Sequence, residues 1–467
     1  FVRVTVTDGT PENPFGLAYK TTRRVTIEDP AGAVVCEELY AYTGGVSFER
    51  VAWTATRRNA QGQPVRTDRS NGSAEQMSWA TCCGKEWEID ESGIETRFTY
   101  DALDRVIVGT KMGIVAAGGY PAQESIIAAY SYDAASRRLT ETTSGSGLSL
   151  AASNQYDHVG RPTRSVDQAG LVTTYSYVSN GLVTIVTQPD GGTQITERFK
   201  DGRTKSVTGT AVTAQYYEYG VNDDGTQWTK VYNGPDALDS PAWVKTTADV
   251  AGRTIREEKP GFGGVVLTNS HTFNNKNQLV NVSGFGGAPP TCYEFDELGN
   301  PVRSGKDVDN DGTLDTAEAD RVNESETFFE ESEGNWWQTT VSRIYADEAS
   351  AMPTTTGIQK NRLTGLGLAS DLGLMTAESI TTDIRGNDTI AQTFVDRSAK
   401  LAGQVLRQPD SVVDAVNTSR NGLRVASVTK TGVQYAYQSD GLGRQTGVTD
   451  PRTGTSLTHY NNKGQID

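Results

Sequence analysis

The chain is poor in the residues that build nucleophilic or metal-assisted active sites. Among 467 residues there are three histidines, His158, His271 and His459, far apart in sequence, so no triad or histidine metal-ligand spacing exists. A Gly-x-Ser-x-Gly elbow, a phosphate loop and a His-Glu-x-x-His zinc signature are all missing. The four cysteines, Cys36, Cys82, Cys83 and Cys292, show no chelating pattern. One bridge from Cys36 to Cys82 or Cys83 would suit an extracellular chain, and free buried thiols are the equal alternative. Long apolar runs are absent, which argues against a helical membrane span. Basic charge is also short: 43 Lys and Arg face 58 Asp and Glu, a net charge of −15. That balance disfavours nucleic acid and anionic membranes as direct partners. The first residues, FVRVTVTDGT, read as a strand with no charged leader ahead of an apolar segment, and a fragment of a longer secreted protein is expected.

What the chain has in abundance is a recurring phrase. An aromatic residue is followed by Asp, two variable residues, Gly or a small polar residue, Arg, and then an apolar residue. Copies begin at Tyr100-Asp101, Tyr132-Asp133 and Tyr156-Asp157, with weaker ones at Phe273-Asn274, Phe295-Asp296 and Tyr460-Asn461. Marker aromatics such as Tyr156, Tyr177, Phe199 and Tyr219 recur every ~21 residues, the length of one β-hairpin. Aromatic pairs two apart, Phe98/Tyr100, Tyr175/Tyr177 and Tyr435/Tyr437 among them, place both rings on one face of a strand. The Asp-x-x-Gly-Arg part supplies a turn, because Asp bonds its own backbone and Gly accepts positive φ. Whether the arginine pairs with the aspartate of its own repeat, of the next, or with solvent is left open by spacing alone. Two copies depart from the phrase: Ala248-Asp249 lacks the aromatic, and Phe199-Lys200-Asp201-Gly202-Arg203 is one residue short. Bulges are expected at such places.

These units resemble the YD repeats of the rearrangement-hotspot (RHS) and teneurin family. The resemblance covers most of 96–305 and returns at 431–467. It implies an all-β fold, a continuous antiparallel sheet winding into a hollow shell or open arc, used as a secreted or cell-surface scaffold that encapsulates a polypeptide cargo. The expected organisation is a degenerate β-repeat region at 1–95, the repeat sheet at 96–305, an insertion at 306–323, a degenerate region with longer loops at 324–430, and repeats again at 431–467. Family members often end their shell at a self-cleaving aspartate followed by a toxic domain. Asp450-Pro451 superficially resembles that junction, but it lies between two phrases and reads as an ordinary turn, so neither protease nor toxin is carried over.

The insertion is the sharpest chemical signal. DVDNDGTLDTAE matches a twelve-residue, EF-hand-like calcium loop with Asp307, Asp309 and Asp311 at positions 1, 3 and 5 and Gly312 at the turn. Thr313 offers its carbonyl, Asp315 stands at position 9 and Glu318 closes the loop. Hard oxygen ligands at this spacing suit Ca²⁺, with a dissociation constant of about 10⁻⁴ to 10⁻³ M. The alternative is an acidic surface turn. The flanks are hairpin-like before the loop, and TAEADRVNE after it reads as the start of a short helix.

Two rival functions need their own residues. An adhesion module binding glycans or a cell surface would use Trp336 and Trp337, which as neighbours on a strand point to opposite faces. One exposed indole could stack on a sugar, whereas core packing is the commoner use. A polysaccharide-degrading enzyme would need a carboxylate pair, and in a chain with 58 acids such pairs mean little. No catalytic set is expected.

Overall fold

The computed structural model describes residues 3–8, 22–44, 47–80, 84–296, 299–345 and 352–467. Strands follow one another from Arg3–Asp8 to Gly454–Leu457 in an antiparallel ladder, most described neighbours being joined by short turns. Among the described residues, helix is limited to four three-residue 3₁₀ turns. The expected helix after the acidic loop does not form. Residues 316–319 are turn and bend, and Arg321–Ser332 is a strand, because Arg321 to Glu324 pair with Pro301–Lys306 as the returning arm of a hairpin.

The phrase builds a five-residue turn with the same bonds in each copy. In 101–105, Asp101 Oδ1 accepts the N–H of Leu103 (2.9 Å) and of Arg105 (3.1 Å), and Oδ2 accepts Arg105 Nε (2.7 Å). The turns 133–137, 157–161, 249–253 and 440–444 repeat the set. The fourth turn residue has positive φ: Asp104 57°, Ser136 61°, Gly160 96°, Gly252 80° and Gly443 81°. Gly or a small polar residue is favoured there for this reason. A β-bulge follows each such turn, as between Thr99 and Tyr100 opposite Val106, or Gln438 and Ser439 opposite Gln445. Bulges therefore mark the well-formed phrase turns as well as the departing copies. The extra residue adds twist on that edge of the ladder.

The arginine does two things at once. It pairs with the aspartate of its own turn, and its guanidinium lies over the aromatic of the next repeat: Arg105 on Tyr132 (4.8 Å), Arg161 on Tyr177 (4.2 Å), Arg203 on Tyr219 (4.6 Å), Arg253 on Phe273 (4.7 Å) and Arg444 on Tyr460 (4.3 Å). The tyrosine hydroxyl then donates to the carbonyl directly after that arginine, from Tyr132 to Val106, Tyr177 to Pro162, Tyr219 to Thr204 and Tyr460 to Gln445. Aromatic, Asp and Arg thus form a latch between neighbouring hairpins. Where Ala248 replaces the aromatic, the preceding turn ends in Thr226 instead of Arg, so neither half of that latch is left alone. Neutral copies exist too: Asn59 with Gln63, and Asn274 with Gln278, replace the ion pair by amide hydrogen bonds of 2.8 Å.

The ladder divides into two units, 153–325 with 342–354, and 1–152 with 326–341 and 355–467. The second of these contains two runs of strands, an early one up to 152 and a late one from 355 to 467, that meet edge to edge. Phrase turns 440–444 and 461–465 of the late run face the edge of the early run opposite to that run's own phrase turns. A Cβ on Gly422, Gly443 or Gly464 would meet Ile94, Ile126 or Leu150, and Gly72 lies against Gly367, so backbone approaches backbone closely. Buried Arg420 donates to the carbonyls of Val115 (2.7 Å) and Pro121 (2.9 Å). Asn421 donates to Met112 (3.0 Å), Asn71 to Thr376 (3.0 Å), and Arg397 to Ala74 and Glu91. The seam joins residues about three hundred apart in sequence and is made almost wholly of side chain to backbone bonds.

Fully buried apolar residues are few and gathered in small groups. Ala41, Val51, Phe329 and Trp336 form one, Met375, Phe394 and Val405 another, and Cys292, Leu314 and Val322 a third. Most strand residues are half-buried, as a sheet without a thick central core requires. The degenerate stretch after 324 continues the ladder. Gly373–Thr382 pairs with Asp388–Asp396 through a turn where Asp383 Oδ1 accepts the N–H of Arg385 and of Asn387, with Gly386 at φ 80°. Asp450-Pro451 sits in the plain hairpin turn between Gln445–Asp450 and Gly454–Leu457. Cys36 and Cys292 are free thiols; Cys82 and Cys83, the other half of the expected bridge, lie outside the described residues.

Candidate metal-binding loop

The acidic segment 307–320 is the tip of the hairpin formed by Pro301–Lys306 and Arg321–Ser332, with Lys306 opposite Arg321. Its base is fixed by packing: Leu314 is buried against Cys292 and Val322, with Tyr345 beside them. Asp307 is 1 % exposed, and its carboxylate is held by main-chain donors, Asp311 N–H to Oδ1 (3.2 Å) and Gly312 N–H to Oδ2 (3.0 Å). The Cys292 thiol lies 3.8 Å from the same Oδ2. Asn310 and Gly312 have φ of 64° and 94°, which lets the chain curl back so that carboxylates face one another.

Asp307, Asp309 and Asp311 bring one oxygen each within 4.8 Å of one another, and Asp309, Asp315 and Glu318 do the same. Asp309 is common to both groups. Thr313 is tied in by its own side chain, whose hydroxyl donates to Asp311 (2.8 Å) and lies 3.1 Å from an Asp315 carboxylate oxygen. The Asp309 carboxyl is held above its ordinary range, first by loss of water around it and then by the negative Asp311. Asp311 is held below that range by the amide and hydroxyl of Thr313. Such a donor set, hard, anionic and short of counter-charge, fits a divalent cation chemically.

One residue essential to the loop carried no signal in the sequence pattern. Asp320, two positions beyond the closing glutamate and 5 % exposed, accepts Val308 N–H on Oδ1 (2.6 Å) and Asp315 N–H on Oδ2 (2.9 Å). It laces the start of the loop to its far side, where a helix would otherwise brace it. The stretch TAEADRVNE in which it stands read as the start of a short helix, and a helix reading gave Asp320 no part in the loop.

The other candidates are placed as follows. Trp336 and Trp337 are both buried, at 5 % and 8 % exposure, in keeping with core packing as the commoner use and leaving no exposed indole for a sugar. Trp336 packs on Ala41, Val51 and Phe329 and donates its indole N–H to Glu49 (2.9 Å); the Trp337 ring lies 5.7 Å from the Arg362 guanidinium. Among the histidines, His158 is exposed at a turn tip, His271 is half-buried on Val266–Phe273, and His459 is exposed after the last strand. They stand on separate elements of the ladder.

Against known families, residues 156–193 match the model of the RHS repeat. The chain carries an RHS repeat. The matched segment contains the Asp157–Arg161 turn and the Tyr177 latch, and the same turn chemistry recurs at 101–105, 133–137, 249–253 and 440–444. No curated protein matches the sequence. Among solved structures, similar chains include the crystal structure of TcdB2-TccC3 without its hypervariable C-terminal region and that of TcdB2-TccC3-Cdc42. Identity to each is 11 %, with TM-scores of 0.26 and 0.25 and coverage of 100 % and 99 % of this chain. The Photorhabdus luminescens Tc holotoxin pore gives 10 % identity, a TM-score of 0.25 and 99 % coverage. The chain spans about a third of the length of these proteins, 34 % to 35 %.

Proposed function

We propose that the chain is the wall of a secreted or cell-surface container, a YD-repeat sheet that winds around and shields a polypeptide encoded on the same, longer protein. The observation that carries this reading is the ladder itself: hairpin after hairpin held by latches to its neighbours, with only small buried groups for a core. A sheet of that kind has a face left over for something else to cover. No helix among the described residues is long and apolar enough to cross a membrane. Burial of both tryptophans removes the anchor of the adhesion reading. The test is to express the chain with and without its native downstream region. Protection of that region from protease by the ladder supports encapsulation, and equal digestion in both forms rejects it.

Within this reading the 307–320 tip holds one Ca²⁺ through Asp307, Asp309, Asp311, the Thr313 carbonyl, Asp315 and Glu318, and the ion serves to stiffen the tip. Replacing Asp307 and Asp309 with Ala should abolish calcium binding and raise protease sensitivity between residues 300 and 345. Calorimetry at millimolar calcium that detects no heat for the unmodified protein would remove the metal from the reading and leave the scaffold untouched.

A further inference from the structure

We infer that the seam closes covalently: the Lys111 amine condenses with the Asn421 side-chain amide, forming an isopeptide bond between the early and late runs. Both residues lie in the unit formed by 1–152, 326–341 and 355–467. Their side chains cross the same gap in opposite directions. Asn421, from the late run, donates its amide to the carbonyl of Met112, the residue after Lys111 (3.0 Å). Lys111, at the end of the strand Val106–Lys111, reaches back to the residue after Asn421, its Nζ 3.2 Å from where a Cβ on Gly422 would stand. An asparagine amide carbon is only two bonds from its Cα, so an amine lying against the next residue is a side-chain rotation away from it.

Neither reacting group is satisfied as it stands. Asn421 is 2 % exposed, and its Oδ1 is buried with no hydrogen-bond partner among the described residues, a rare state for a buried carbonyl oxygen. Lys111 makes no ion pair or hydrogen bond among the described residues. Packing does not call for an amine here either. Gly443 and Gly464, the other late-run glycines against this edge, rest on the aliphatic Ile126 and Leu150, whereas at Gly422 the place beside Ile94 is taken by Lys111. Loss of water around the Lys111 amine holds it below its ordinary range, against the opposing charge of Asp90, and a neutral amine is a nucleophile. In the reaction Nζ adds to the Asn421 amide carbon. The Cγ–Nζ bond forms, the Cγ–Nδ2 bond breaks, and one amine proton passes to Nδ2, which leaves as ammonia. Asp90, the carboxylate whose charge this amine feels, is the group to carry that proton.

The bond would tie residues about three hundred apart in sequence and keep the two runs joined even in the unfolded chain. Mass spectrometry of the purified 467-residue chain gives the test. After incubation at neutral pH, the intact mass should lie about 17 Da, one ammonia, below that of the sequence, and digestion should release a branched peptide joining Lys111 to Asn421. Lys111→Arg keeps the positive charge and leaves Asn421 its bond to Met112, yet cannot condense. It should show the full mass, and on a denaturing gel it should migrate more slowly than the internally linked parent. Asn421→Ala should do the same. The branched peptide is read from the parent itself, so the result stands even where a variant fails to fold. A parent that keeps its full mass, with no branched peptide after prolonged incubation, overturns the inference. So does a loss of ammonia that persists in Lys111→Arg, since cyclisation of an Asn-Gly pair such as Asn421-Gly422 would then account for it.

Discussion

Replacing Arg420 with Ala should detach the loop 112–125 from the late run while leaving the unit built on 153–325 folded. Arg420 is 3 % exposed and donates to Val115 O (2.7 Å) and Pro121 O (2.9 Å), with a longer contact to Ala399 O (3.4 Å). Its neighbours reinforce the contact, Gln123 donating to Arg420 O (3.0 Å) and Asn421 to Met112 O (3.0 Å). A hydrogen bond from a charged donor contributes about 1.5–3 kcal/mol, and a carbonyl left buried without a donor costs about 1–3 kcal/mol. Water reaching the vacated site would recover part of that, so a net loss of about 3–4 kcal/mol is expected. Because the chain divides into two units, a single unfolding midpoint is a poor readout. Hydrogen exchange resolved by segment is the suitable assay. Amides of 112–125 and 397–422 should lose protection in Arg420→Ala and keep most of it in Arg420→Lys, which can still serve one carbonyl. Loss of less than about 1 kcal/mol of protection in those segments, or an equal loss across 153–325, would refute the claim that this arginine clamps the seam.

The latch predicts a graded series at one aromatic: Tyr219→Phe removes the hydroxyl bond to Thr204 O and should cost about 1 kcal/mol, whereas Tyr219→Ala also removes the ring beneath Arg203 and should cost about 2–3 kcal/mol, read by urea denaturation of local protection. Acid should loosen the phrase turns, since the Arg partners hold Asp101, Asp201 and Asp249 below the usual carboxylate range. Their contribution is complete above the unfolded-state value and disappears as pH falls through the depressed one. Asp450, lowered from 3.8 to about 2 by Arg452, should be among the last to protonate in an NMR titration. Gly145→Ala should disturb the seam because its Cβ would overlap the carbonyl of Gly441, while Gly109→Ala, whose Cβ would stand 3.8 Å from the Phe98 ring, should be tolerated; equal thermal shifts for the two would contradict the close backbone approach.

The legible part of this fold is the part written in side chains that repeat. Aromatic spacing announced the hairpin length, and Asp with Gly announced the turn, including the weak copy at Asp383 and Gly386. The arginine's partner stayed open because spacing cannot separate two bonds that share one guanidinium: one face stacks on the next aromatic while the edge pairs with its own aspartate. The acidic loop was legible because its spacing is local. Asp320 was not, because its role depends on where the hairpin returns. Trp336 and Trp337 take the commoner of the two uses open to them, core packing, because alternation of faces would expose one indole only if one face were open, and both are covered there.

The seam was invisible in the sequence for a physical reason that also explains how such a ladder is stabilised. Its acceptors are carbonyls, which every residue has, and its close approaches need only the lack of a Cβ. Neither leaves a periodic mark. Latches, by contrast, join each hairpin to the next and make stability a sum of nearest-neighbour terms, so a damaged copy such as the one at Ala248 weakens its own place and little else. A ladder held only by such terms would open anywhere along its length. Contacts such as Arg420 on Val115 and Pro121 tie residues about three hundred apart, and opening one hairpin of the late run must then break bonds to the early run as well. Local repeats supply the length of the ladder, and the unrepeated contacts between runs supply its cooperativity.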